Sequence, residues 1–548
     1  MAVATTKVAR PRADEPVVVP GSPTRPQQAR QRRLLRWSKR VEVVGAVAIV
    51  GVVLVPLAVA AWPMLQALDE GHRTMGDTAL LELGVRRLGS DPLLLGPYSR
   101  FGWNHLGPAP FLALALPYWL TGGNGLGLSL GALLVNAASV IGIAVLAWRR
   151  GGAPLLAWVM VLVALLLHLL GPEVLRDPWN PHLAIVPLAL LVFLGWSVAC
   201  GSAWLLPVAV GVGSAIVQTH LGFGPVVGVL LLGSVALLVT RRRSGLLRPL
   251  AVTAVVAAVL WAPAVIEELS HEPGNLSTLR TYMEEERETP GVRTGAELAS
   301  AQLGRLPASV LGDDQGEGGG LAQGGPGWPT ALTAGALAVV AVVAWRRRLP
   351  DVLRLLPLVL LFAAASVLAA ANLDGERYAY LVTWMVVGGL AAWVLVAAAL
   401  VPWRRGRGRV PALLAGAALV WGISWGSAGA AGDTTVPEAD RSAVMARLTD
   451  GLEEALPPGD CPVLVRFSGD VGWAWGAGVA LAVEKGGRDV VVDPRWRVMF
   501  GDRASDDVPA DSPLLTVVAP NGDGPGPVVT SSRYVQVRLA GGSCGPGR

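Results

Sequence analysis

Apolar residues along this chain gather into blocks of roughly 17 to 25, the length a helix needs to cross about 30 Å of hydrocarbon at 1.5 Å per residue. The strong blocks run 41–65, 126–148, 153–171, 222–240, 249–267, 330–345, 352–371, 378–402 and 409–427, with a shorter pair at 183–198 and 203–218. Together they predict about eleven transmembrane helices. A further apolar run, 109–121, would reach only about 20 Å as a helix and is expected to lie at the interface or re-enter. Beyond residue 430 the pattern changes to that of a soluble domain, with a helical stretch near 438–456 and strand-like runs at 462–468, 489–493, 514–519 and 533–539. The expected fold class is an all-α polytopic membrane protein with outer-face juxtamembrane helices and a small C-terminal α/β extracytoplasmic domain.

Composition agrees: 52% of the 548 residues are hydrophobic, only 16% are charged, and the mean hydropathy is +0.50. Such a chain has the membrane as its solvent. The net charge of +5 comes from short Lys/Arg clusters beside apolar blocks, which act as topology signals and give no reason to expect a nucleic-acid partner. If 109–121 does not cross, Arg149 and Arg150, Arg241 to Arg243, Arg346 to Arg348, and Arg404, Arg405, Arg407 and Arg409 all fall on the side of the basic N-terminal tail, Arg32 to Arg40. The positive-inside rule makes that side the cytoplasm. Three regions follow: a disordered basic tail 1–40, a membrane domain 41–429 with outer loops 66–125 and 268–329, and an extracytoplasmic domain 430–548. The Gly-rich run Gly312–Gly327 is expected to be mobile. A plasma-membrane, multi-pass protein is implied, with its N-terminus cytoplasmic and its C-terminal domain outside. There Cys461 and Cys544 would share an oxidising compartment and are a plausible disulfide, whereas Cys200 reads as an inert core thiol.

Charged groups are nearly absent from the block interiors, which argues against an ion-coupled transporter. Polar side chains collect instead at the outer helix ends. They are Asp69, Glu70, His72 and Asp77, then Tyr98, Arg100, Trp103, Asn104 and His105 in GPYSRFGWNHLGP; Asp177, Trp179, Asn180 and His182 in RDPWNPH; Gln218 and His220 in QTHLG; and Asp374, Glu376, Arg377 and Tyr378 in NLDGERYAY. Carboxylates, imidazoles, a few Arg and several aromatics at one membrane face suit group transfer on a lipid-borne phosphate, which needs a base, cations and surfaces for sugar rings. Plainer readings stand beside this one. Asp77 could be the N-cap of a helix starting at Thr78. His182 and His220 could be snorkelling helix ends, Trp103 and Trp179 interface-belt aromatics, and Arg377 a helix anchor. No HExxH or CxxC spacing occurs; a divalent cation held by Asp69, Asp77 or His105 is left open.

The order of these features resembles the C-type integral membrane glycosyltransferase superfamily, which includes protein O-mannosyltransferases, aminoarabinose transferases and arabinosyltransferases. A first span is followed by an acidic residue opening a short helix (GDTALLELGVRRL), a Gly/Pro-rich turn with a histidine (WNHLGPAPFLALALPYWLTG), and a second span ending in Arg-Arg. The resemblance covers about residues 41–430. It implies juxtamembrane helices lying flat, a polyprenyl-phosphate sugar donor, and an essential carboxylate at the position of Asp77. His105 matches the histidine turn, although His105-Leu106-Gly107-Pro108 departs from the His-Pro-Pro or Lys-Pro-Pro that related enzymes often show, and Thr78 stands where relatives often carry a second acid.

The expected function is transfer of a hexosyl or pentosyl group from a polyprenyl phosphate to a cell-envelope glycan, lipid or protein. Asp77 would be the base, with Asp69 and Glu70 as further acids. Arg100, Asn104, His105, Asn180, His182, Gln218, His220 and Arg377 would contact the donor phosphate or acceptor, and Tyr98, Trp103, Trp179 and Tyr378 the sugar. The rivals are a lipid-linked-sugar flippase, which should show charges along a central cavity, and a non-catalytic envelope scaffold. An enzyme would bring carboxylate and basic side chains together in one cavity at the outer face.

Overall fold

The computed structural model describes residues 25–542 except 90–92, 243, 313–319, 326, 401–408, 468–471 and 510. Half of the expected mobile run Gly312–Gly327, namely 313–319 and 326, thus falls outside the described residues, as do Arg243, the cluster Arg404 to Arg407, Cys544 and residues 1–24. The helices are α1 (Arg25–Gln66), α2 (Gly76–Arg86), α3 (Ala109–Leu120), α4 (Leu126–Arg176), α5 (Asn180–Leu183), α6 (Ile185–Ala199), α7 (Leu206–Thr219), α8 (Gly224–Arg241), α9 (Leu247–Ser270), α10 (Asn275–Glu284), α11 (Gly291–Leu303), α12 (Arg305–Val310), α13 (Trp328–Arg346), α14 (Pro350–Ala371), α15 (Tyr380–Thr383), α16 (Val386–Leu400), α17 (Arg409–Gly432), α18 (Ala439–Ala455) and α19 (Gly472–Lys485). Among the described residues nine helical stretches are long and apolar enough to cross a membrane, and Ala203–Thr219 is a shorter apolar one. One of the nine, α4, is two helices merged across Gly152, whose φ of 63° breaks the ladder just after Arg149 and Arg150. Counted so, the crossings match the eleven apolar blocks.

Two features depart from the sequence reading. Helix α1 begins at Arg25, so the second part of the basic tail is helical where disorder was expected. In the C-terminal domain, a helix (α19) and a strand at 528–531 were not anticipated.

The ends of the membrane helices sort by chemistry. Arg150, Arg241, Arg354 and Asp351 surround Cys200 at one end, where the Arg354 guanidinium caps the carbonyls of Ala199 and Leu237. At the other end lie the termini of α1, α7, α9 and α14 together with the C-terminal domain. Both flanks of the 109–121 run belong here. Lys485 of the C-terminal domain donates to the Gly123 carbonyl (3.0 Å) and sits beside His72. Helix α3 therefore does not cross; its lipid-facing stripe is Leu112, Leu116, Trp119 and Leu120, spaced as one face of a helix lying flat.

The C-terminal sheet comprises β1 (Val463–Phe467), β2 (Val490–Val492), β3 (Leu514–Val518), β4 (Val528–Ser531) and β5 (Gln536–Ala540) in the order β2-β1-β3-β5-β4. β2, β1 and β3 run parallel, and β5 and β4 are antiparallel. The segment that follows β2 reaches α2, where Arg503 donates to the Leu83 carbonyl and Asp502 pairs with Arg87. Met75 at its N-cap and Ala79, Leu80 and Leu83 of α2 belong to the core of the C-terminal domain, whereas Leu81 and Val85 pack on Phe111, Leu114 and Tyr118 of α3. Helix α2 is thus the joint between the two regions, and a helix buried on two faces in this way is held by tertiary packing rather than propensity.

Candidate functional site

Asp77 lies in the first turn of α2. Met75 occupies the N-cap, and no side chain bonds the free amides, so the reading of Asp77 as the cap of a helix starting at Thr78 is overturned. Its carboxylate accepts instead from the Tyr98 hydroxyl (2.8 Å). Burial pushes its pKa above the ordinary carboxylate value; the Tyr98 hydrogen bond opposes this, while Asp177 and Glu438 add to the rise. The Tyr98 hydroxyl is pushed up by the same burial and by Asp77, so it stays a donor.

Asp77 and Tyr98 line a cavity of about 500 Å³, a size suited to a sugar-containing substrate. Its apolar wall is formed by Leu80, Leu83, Leu93 to Leu95 and Phe111, and its polar wall by Asn104, Trp179, Asn180, Glu267 and Asn275 together with Arg497 to Arg503 of the C-terminal domain. Carboxylate and basic side chains therefore converge here. Trp179 meets Tyr380 edge-on (4.6 Å), and Tyr380 stacks on Tyr378 (5.7 Å, 11°). Tyr380 lies within electrostatic reach of both Asp77 and Arg100. The Arg100 guanidinium, exposed over the rings of Phe101 and Tyr378, is oriented by the carbonyls of Asp374 and Glu376.

Several expected site residues have other duties. His105 is fully enclosed: its Nδ1 accepts from the Leu221 amide (3.0 Å), and its ring packs on Trp103 and His220. Burial holds the His105 imidazole well below its ordinary pKa and takes His220 down to about 4, so neither offers a cation at neutral pH. Trp103 is buried among Leu106, Ala264 and Leu279, away from the cavity. Gln218 bridges the Leu260 carbonyl and the Ala109 amide; a Cβ on Gly107 would strike its side chain at 2.7 Å. Asn104 does line the cavity, but its side chain is spent on the Val498 carbonyl (2.8 Å) and its backbone on Asn275. Asp69 and Glu70 are exposed in the turn Leu68–Glu70, and Arg377 is exposed beyond α14. Among the described residues no three His, Cys, Asp or Glu side chains converge as metal ligands, and Asp69, Asp77 and His105 are not brought together.

Two contributions, Glu267 and the segment 497–503, were given no site role from the sequence, and Asp177 was placed at this face without one. Asp177, beside Asp77, holds His182 Nδ1 at 2.7 Å and the Trp179 amide at 2.9 Å; its place in RDPWNPH, ahead of two site residues, was the available signal. Glu267 accepts from the Asn275 amide. The segment 497–503 gave no signal, because nothing in its pattern tells that it folds back over α2.

With this geometry in hand, comparison with solved structures identifies the architecture. ArnT from Cupriavidus metallidurans bound to undecaprenyl phosphate aligns over 91% of this chain and 99% of its own, with a TM-score of 0.54 and 15% identity. The Archaeoglobus fulgidus oligosaccharyltransferase in complex with zinc and sulfate aligns over 85% of this chain and 67% of its own, with a TM-score of 0.41 and 10% identity. No protein-family model and no curated protein matches the sequence. The chain has the ArnT-like polytopic fold with a small α/β domain.

Proposed function

We propose that the protein is a membrane glycosyltransferase that moves a sugar from a polyprenyl phosphate to a cell-envelope acceptor at the outer face of the plasma membrane. The observation that carries this reading is the half-buried Asp77 carboxylate, held by Tyr98 in a cavity that both the membrane domain and the C-terminal domain line. Burial raises its proton affinity toward that of a useful base.

Asp77 takes the proton of the acceptor hydroxyl as that oxygen attacks the anomeric carbon of the sugar. The new bond forms from the acceptor oxygen, the bond from the anomeric carbon to the phosphate oxygen breaks, and polyprenyl phosphate departs with the electron pair. Arg100 meets the charge that develops on the phosphate, and Trp179, Tyr378 and Tyr380 offer faces for the sugar ring. The basic clusters at the opposite helix ends favour the N-terminus inside and the cavity outside. Polar groups gathered at one end, rather than along a central path, weigh against the flippase. The test is purified protein incubated with a panel of polyprenyl-phosphate sugars, following sugar transfer and release of polyprenyl phosphate. Transport of intact lipid-linked sugar with no cleavage in that panel would reverse the assignment.

A further inference from the structure

Glu82 is completely buried within α2, five residues after the proposed base. Its carboxylate receives the Thr74 hydroxyl (2.6 Å) and the Tyr118 hydroxyl (3.0 Å), and it pairs with the ammonium of Lys485 at the last turn of α19. Lys485 also donates to the Gly123 carbonyl. One cation from the C-terminal domain thereby gathers three pieces of the membrane domain: the loop entering α2 through Thr74, α3 through Tyr118, and the start of α4 through Gly123. The surroundings leave no slack, since a Cβ on Gly125 would lie 2.4 Å from Thr74 and one on Gly478 would lie 2.9 Å from the Thr74 carbonyl. Thr74 stands in the loop just before the N-cap of α2, so the Thr74–Glu82 bond closes the loop onto the helix across the proposed base. Two further ion pairs, Arg86 with Glu484 and Arg87 with Asp502, tie the same helix to the same domain but are more exposed.

We propose that Lys485 is a positioning residue: by pairing with Glu82 it lets the docked C-terminal domain set the first turn of α2, and with it the Asp77 carboxylate. This inference rests on Asp77 being the base, but its first consequence does not. Were Lys485 only a neutraliser of a buried charge, removing both charges would restore everything, because a buried pair can often be replaced by uncharged side chains at little cost, whereas removing one partner strands the other. A clamp, once removed, is not restored in that way.

The full-length protein is purified monodisperse as Lys485→Met, Lys485→Arg, Glu82→Gln and the Glu82→Gln/Lys485→Met double variant. Backbone hydrogen exchange is followed over peptides from residues 72 to 86. Lys485→Met is expected to exchange roughly tenfold faster there, with peptides of the distant membrane helices unchanged. With a donor that wild type accepts, its kcat should fall by about 10²-fold at unchanged donor KM, the scale that a displacement of about 1 Å produces. Lys485→Arg should recover both readouts. The double variant should recover thermal stability but not kcat. Glu82→Gln, which leaves Lys485 with the Gly123 carbonyl and an uncharged amide oxygen as acceptors, serves where Lys485→Met does not fold and should shift the same readouts in the same direction. Unchanged exchange over 72–86, or a double variant with wild-type kcat, overturns the proposal. If wild type transfers no sugar from any donor, the function fails while the exchange measurement still decides the clamp.

Discussion

The proposed chemistry turns on Asp77 and what surrounds it. Asp77→Asn keeps the size of the side chain and an acceptor for Tyr98 but removes the base, so turnover should fall by about 10² to 10⁴-fold. Because burial raises the Asp77 pKa in the folded protein, its ionised form opposes folding at any pH above the unfolded value. The Asn variant should accordingly melt no lower than wild type at pH 7, measured on the same purified sample; near wild-type turnover would end the assignment and shift attention to Asp177. The same shift sets the pH dependence. A base must be deprotonated, so activity should fall as pH drops through the Asp77 pKa, above the usual carboxylate range. The hydrogen bond from Tyr98 lowers that pKa, and Tyr98→Phe removes it, so the acid limb of the kcat profile should move to higher pH. A limb that stays put, or moves down, would show that the titrating group is not Asp77.

Among the elements, α2 and α3 connect Asp77 to the rest of the molecule, and Gly84 is where they meet. A Cβ at Gly84 would lie 2.3 Å from the Phe111 ring, so Gly84→Val must push α2 off α3. Overpacking of this kind costs about 1–3 kcal/mol, and a lowered Tm of the purified protein should accompany reduced transfer; an unchanged Tm would mean the ring yields freely. The elements also show what the sequence could and could not tell. Membrane blocks were legible because each is a long apolar run whose meaning does not depend on its neighbours. The flat course of α3 was legible from its length and from the parity of the Arg clusters. Asp77 stood out by its place after the first span. Trp103, His105 and Gln218 stood out for the same reason, as polar groups at helix ends, yet they hold the loop 96–108 against α7 and α9; composition cannot separate a polar group facing a cavity from one satisfied in the packing. The wall formed by 497–503 depends on docking between segments about 400 residues apart, for which a single sequence carries no local periodicity.

For the whole molecule the claim is a sidedness: the cavity and the C-terminal domain share one face and the Arg clusters the other. Reporter fusions should place residue 123 with the C-terminal domain outside and residues 150, 243 and 347 inside. A cytoplasmic signal at 123 would contradict both the charge parity and the Lys485–Gly123 contact. An outside location also fixes the redox state of the domain. Cys200 is a free thiol at the Arg-rich end, whereas Cys461, just before β1, is disulfide-bonded. Cys544, beyond β5, is its proposed partner. That bond would close a loop of about 80 residues and restrain the unfolded domain by about 4 kcal/mol in the chain-entropy treatment, an upper value. The domain supplies Lys485 and the 497–503 wall, so loosening it reaches the site. Cys461→Ser should therefore lower both Tm and turnover, and in the Lys485→Met background it should cost less turnover than alone, because the clamp it supports is already gone. Non-reducing mass spectrometry should find neither Cys461 nor Cys544 alkylated without reductant; full alkylation of both would remove the disulfide and with it the expected coupling.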